Sequence, residues 1–81
     1  MSFYCYILYC ADGSYYTGWT TDVERRLAQH NAGRGARYTR GRTPVVLVYT
    51  ERQPDRSAAM KRERLIKALS RAEKILLIDG S

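Results

Sequence analysis

Tyr4-Cys5-Tyr6-Ile7-Leu8-Tyr9-Cys10-Ala11-Asp12-Gly13-Ser14-Tyr15-Tyr16-Thr17-Gly18-Trp19 is the stretch that decides the fold. Two runs of aromatic and β-branched residues flank Ala11 to Ser14, and Asp-Gly between such runs signals a hairpin. The length of the turn sets which side chains share a face. With Asp12 and Gly13 alone as the loop, Tyr9 opposes Tyr16 and Tyr6 points away from both, because side chains alternate along a strand. With Ala11, Asp12 and Gly13 as a three-residue loop, Gly13 takes the left-handed position. Cys10 then pairs with Ser14, Leu8 opposes Tyr16 and Tyr6 opposes Gly18. Tyr6 and Tyr16 lie on one face, with open space over Gly18 beside the Tyr6 ring. The second register is expected, because Gly13 adopts that conformation without steric cost. The tyrosines are then either a packed aromatic face or a chemical resource, since a phenol can donate, accept or titrate.

The remaining chain reads in order as helix, strand, helix, helix. Thr21 and Glu24 fit a capping box for a helix running to His30 or Asn31. On its wheel Val23, Leu27, Arg26 and His30 share one sector, so Arg26 and His30 border the core while Arg25 and Gln29 point outward. Pro44 to Glu51 is rich in β-branched residues and reads as a third strand joining the hairpin. Asp55 caps a helix from about Arg56 to Leu69 that buries Ala59, Ile66 and Leu69. Ser70 and Glu73 form a second capping box before a short helix that packs through Ala72, Ile75, Leu76 and Ile78. The expected fold is α+β: one domain over 1–81, a small three-stranded antiparallel sheet flanked by helices, order β-β-α-β-α-α.

Composition narrows the function. The chain has 81 residues and a formal net charge of +6, and most of its cations are arginines, which suit bidentate phosphate contacts. Nucleic acid is the expected partner, DNA before RNA. Asn31 to Arg42 mixes three glycines with arginines and reads as a mobile basic loop; Arg34, Arg37, Arg40 and Arg42 are candidate phosphate contacts and Tyr38 a stacking platform. No run is apolar enough to span a membrane and no secretory leader is visible, so the cytoplasm is the expected location. Cys5 and Cys10 point to opposite faces of one strand and read as buried small hydrophobes. One histidine excludes multi-histidine zinc sites. No nucleophile elbow, P-loop or dinucleotide fingerprint is present.

Glu63 stands out, because it falls in the apolar arc between Ala59 and Ile66 and a buried carboxylate needs a partner. Lys67, four residues on, is one candidate, and a divalent cation is the other. His30 is left between contacting a phosphate and bonding the helix end. Tyr6, Tyr16, Arg26, His30 and Glu63 together are the parts required for metal-assisted phosphodiester hydrolysis.

At these residues the chain resembles the GIY-YIG nuclease superfamily, in its small single-domain bacterial group (UPF0213-like). Cys5-Tyr6-Ile7 sits where the first motif belongs and Tyr16-Thr17-Gly18 where the second belongs. Arg26, His30 and Glu63 match by spacing. Tyr4 and Cys5 replace Gly and Ile of the first motif, and Thr17 replaces Ile of the second. The resemblance implies an endonuclease binding one Mg2+ or Mn2+ through Glu63, with Arg26 on the scissile phosphate, Tyr6 activating or positioning water and Tyr16 orienting the site. Homing and repair relatives rely on partners for target recognition, which implies a protein partner supplying specificity. The alternatives are a nucleic-acid-binding module of the same fold and a protein-interaction adaptor.

Overall fold

A computed structural model describes residues 1–80. The chain runs β1 (Phe3–Tyr9), β2 (Tyr15–Thr20), α1 (Val23–Asn31), a 3-10 turn (Arg37–Thr39), β3 (Val46–Gln53), α2 (Arg56–Lys67) and α3 (Arg71–Asp79). The strands form one antiparallel sheet in the order β2-β1-β3. This is the α+β architecture, with element order β-β-α-β-α-α, that the sequence predicts.

The hairpin adopts the three-residue loop. Cys10 N–H donates to the Ser14 carbonyl at 2.8 Å and Gly13 N–H to the Cys10 carbonyl at 2.9 Å. Gly13 has φ +85°, a conformation glycine takes without penalty. Tyr6 therefore opposes Gly18 and Leu8 opposes Tyr16.

Alternation along β1 divides the interior in two. Cys5 and Ile7 face α2 and α3, packing with Ala59, Ile66, Leu69, Leu77 and Ile78. Tyr6, Leu8 and Cys10 face the other way, toward Val45, Leu47 and Leu27 of α1. The two cysteines are free, buried and on opposite faces. Full burial of side chains such as Ile7, Leu8 and Ile66 contributes roughly 1.5–3 kcal/mol each.

Local chemistry moves several element ends. The cap of α1 is Asp22, not Thr21: its carboxylate accepts the Arg25 N–H at 3.1 Å. Aspartate caps at least as well as threonine and its charge suits the positive helix end. Gly33, at φ +77°, ends α1, with Gly33 N–H on His30 O and Arg34 N–H on Gln29 O closing the terminus. The third strand begins at Val46 rather than Pro44. Asn31 pairs with both backbone groups of Val45, accepting its N–H at 2.7 Å and donating to its carbonyl at 3.1 Å. Asp55 caps α2, and Ser70 with Glu73 forms a reciprocal box on α3. In α3 the expected inward stripe is partly wrong: Leu77 and Ile78 pack, whereas Ala72 and Leu76 are exposed. No described helix is long and apolar enough to cross a membrane.

Candidate active site

Tyr6 lies on the central strand, 2% exposed, with its hydroxyl 2.8 Å from His30 Nε2. Gly18 makes that placement possible. A Cβ at position 18 would stand 2.5 Å from the Tyr6 hydroxyl and 2.7 Å from the ring. His30 is fully buried, and its Nδ1 lies 2.8 Å from Thr39 Oγ1. The Thr39 hydroxyl donates its proton to Ala36 O at 2.9 Å. Thr39 therefore accepts from Nδ1–H, which leaves the Nε2 lone pair for the Tyr6 proton. The Ala36 N–H also approaches Nδ1, but at 3.4 Å it is the weakest contact of the set. His30 is thus neither a phosphate contact nor a helix-end bond; it is the buried centre of a chain from Tyr6 to Ala36.

Electrostatics follow from this burial. Desolvation pushes the Tyr6 phenol up to about 12, although the Arg26 guanidinium beside it pulls the other way. The same desolvation, helped by the Arg26 charge, holds His30 down at about 4. In the resting protein both groups are neutral. At Tyr6 burial thus outweighs the pull of Arg26.

Tyr16 shares the face of Tyr6, with ring centroids 6.4 Å apart, and its ring lies 5.2 Å from His30. Burial raises its phenol as well, against the pull of Arg26. Arg26 is half-buried on α1 and donates to Gln29 Oε1 at 3.1 Å, so Gln29 turns toward the site rather than outward. Glu63, on α2, pairs with Lys67 at 3.8 Å and keeps only a fifth of its side chain exposed. Its negative charge stands close enough to both phenols to oppose their ionisation. Lys67 Nζ lies 5.8 Å from the Tyr16 ring. Tyr6, Tyr16, Arg26 and Glu63 are therefore brought together, where α1 on one face and α2 on the other approach the hairpin.

The basic loop is fastened rather than loose. Arg42 pairs with Asp12 at 2.9 Å, donates to the Tyr38 carbonyl and lies 4.1 Å over the Tyr38 ring. Tyr38 in turn stacks on Tyr16 at 5.8 Å. Arg34, Arg37 and Arg40 are exposed, and among the described residues none of the three is in an ion pair. Sequence reasoning missed Thr39 and Gly35. A Cβ at Gly35 would collide with the His30 ring, so this glycine serves close packing, not flexibility.

A divalent ion can be tested against the donors present. Among the described residues no group of three or more His, Cys, Asp or Glu could enclose one. Glu63 is a lone hard carboxylate. That suits Mg2+ or Mn2+ held by one carboxylate, waters and substrate phosphate oxygens, and does not suit an all-protein cage.

The family profile described as the GIY-YIG catalytic domain matches residues 2–75. A UPF0213 protein of Natronomonas pharaonis is 64% identical over 75 residues, covering 93% of this chain and 88% of the relative. One from Staphylococcus haemolyticus is 55% identical over 76 residues, covering 94% and 93%. The solution NMR structure of the UPF0213 protein from Bacillus halodurans superposes with a TM-score of 0.65 at 51% identity, covering 100% of this chain and 86% of that one. With the two tyrosines on one face, the arginine on the next helix and the acid on the later one, this chain belongs to the GIY-YIG catalytic domain family, a family of nuclease type, and its relatives are UPF0213 proteins.

Proposed function

We propose that the protein is an endonuclease hydrolysing DNA phosphodiester bonds with the help of one Mg2+ or Mn2+ at Glu63. The observation that carries this reading is the convergence of Tyr6, Tyr16, Arg26 and Glu63 around the hairpin. Arg26 binds the scissile phosphate and stabilises the charge that grows on it. Tyr6 takes a proton from the attacking water only by releasing its own to His30 Nε2, 2.8 Å away. The gap between about 12 and about 4 makes that transfer unfavourable at rest. A phosphate seated on Arg26 cancels a charge that lowers both groups; it raises His30, the final acceptor of the relayed proton, while Tyr6, raised by the same change, ends the relay neutral. Tyr16 positions the Tyr6–His30 pair. A cation held by Glu63 would act as a Lewis acid on the phosphate oxygens. Arg34, Arg37 and Arg40 supply non-specific backbone contacts, while Arg42 and Tyr38 reach the strand from the fastened part of the loop. A protein partner supplies target choice.

The second reading, a nucleic-acid-binding module with little turnover, is favoured by one observation: Glu63 already has Lys67 as a partner. Supercoiled, linear and branched DNA incubated with Mg2+, Mn2+ or EDTA separates the two. Metal-dependent nicking that disappears in Glu63→Gln, Arg26→Ala and Tyr6→Phe is expected. Salt-sensitive binding without cleavage in either metal would establish the binding module instead.

A further inference from the structure

A second feature adjoins this site. A groove of about 380 Å³ opens beside the end of β2, lined by Trp19, Asp22, Arg25, Arg26, Gln29, Arg56 and two threonines. That volume suits a small organic group rather than a duplex. Its walls come from the hairpin, α1 and α2, and Arg26 belongs both to it and to the surroundings of Tyr6.

The lining has the two components that single-stranded nucleic acid requires, an aromatic plane and a cluster of phosphate-binding cations. Trp19 is the chain's one tryptophan. It is half-buried, and Phe3 braces it at a centroid distance of 6.4 Å. Arg25 and Arg56 are exposed, and neither enters an ion pair among the described residues. The groove's carboxylate, Asp22, caps α1 through the Arg25 backbone N–H and faces the guanidinium groups of Arg25, Arg26 and Arg56, so positive charge is in excess. Arg56 lies over the Trp19 ring at 5.7 Å, within the about 6 Å of a cation–π contact, and a base stacking on that face would take its place.

We propose that this groove is a subsite for one unpaired nucleotide of a DNA strand, its base against Trp19 and its phosphate between Arg25 and Arg56, adjoining the phosphate held by Arg26. A base inside a duplex is stacked on its neighbours and cannot lie on an indole ring; only an extruded or single-stranded base can. The subsite thus selects strands with an unpaired nucleotide beside the cut. Only the position of the cut rests on the nuclease reading; the binding does not.

The lone tryptophan is its own reporter. Indole fluorescence is followed at low salt in EDTA, so that no cleavage intervenes, while oligothymidylate, an abasic strand of equal length or a blunt duplex is added. Oligothymidylate is expected to quench Trp19 and to bind about tenfold more tightly than the abasic strand, and the duplex to leave the indole signal unchanged. Arg25→Ala with Arg56→Ala, both at exposed positions, is expected to weaken the quenching titration about tenfold. Equal quenching by the abasic strand, or a titration unmoved by the double substitution, overturns the subsite. Nicking without base-dependent quenching removes the subsite and leaves the nuclease; quenching without nicking does the reverse.

Discussion

The two faces of the sheet are built from the same strand and have opposite characters. On one, Cys5 and Ile7 meet Ala59 and Ile66, and among the described residues the buried members of this cluster are apolar. On the other, Tyr6 and Leu8 share their layer with a fully buried histidine and threonine joined through 2.8 Å hydrogen bonds. Polar groups in a core require complete pairing, and leaving one unpaired costs about 1–3 kcal/mol. The first face is packed mainly by apolar side chains; its polar exceptions are Thr17, opposite Ile7, and the Tyr49–Glu51–Arg62 network at its margin. The second keeps its buried polar chain fully paired, from Tyr6 through His30 and Thr39 to the Ala36 carbonyl, a connected network rather than a packing layer. The difference teaches that substitutions on the two faces should separate stability from activity.

The largest expected effect breaks activity alone. Glu63→Gln or Arg26→Ala should lower nicking by roughly 10²–10³-fold while shifting the urea midpoint little, since Glu63 makes only a partly exposed pair with Lys67. Loss of folding in these variants would erase the proposed separation. Next, Ile66→Ala on the apolar face should destabilise by about 2–5 kcal/mol, read by denaturant unfolding, with nicking per folded molecule unchanged. A third measurement probes the polar face by pH. His30 falls from 6.5 in the unfolded chain to about 4 in the folded one, so between these values the unfolded state binds more protons. Its contribution is whole above pH 6.5 and is lost as pH falls toward 4, by about 3 kcal/mol. His30→Gln should flatten that part of the stability profile; an unchanged slope would remove His30 as its source. The smallest effect is a gain. Thr17, which stands where the family motif has isoleucine, is 2% exposed and its hydroxyl has no partner. Thr17→Val should raise stability by about 1 kcal/mol, and a loss would mean that the hydroxyl is satisfied.

Much of this arrangement was legible before any coordinates. Gly13 announces the loop and Gly18 the space for a phenol, because both residues act through backbone and steric rules that hold locally. Glu63 is legible as an acid in an apolar arc, since helical spacing is local as well. The pairing of His30 with Thr39 was not legible. It depends on how the loop folds back, and its sequence, read by composition, suggests freedom instead. The high pKa of Tyr6 was missed for a related reason: desolvation sums over neighbours from every layer, whereas the favourable charge of Arg26 is visible from spacing. The Trp19 groove draws its walls from three elements, and no periodicity along one of them could assemble it.

The turn from Ala11 to Gly13 carries a consequence larger than its size. Adding or deleting one residue there would rotate every side chain of β2 through half a turn relative to β1. Trp19 and Tyr16 would exchange sides, the phenols would part company, and a ring or hydroxyl would replace the hydrogen atom of Gly18 above Tyr6. The length of this bend is thus set by the chemistry on either side of it.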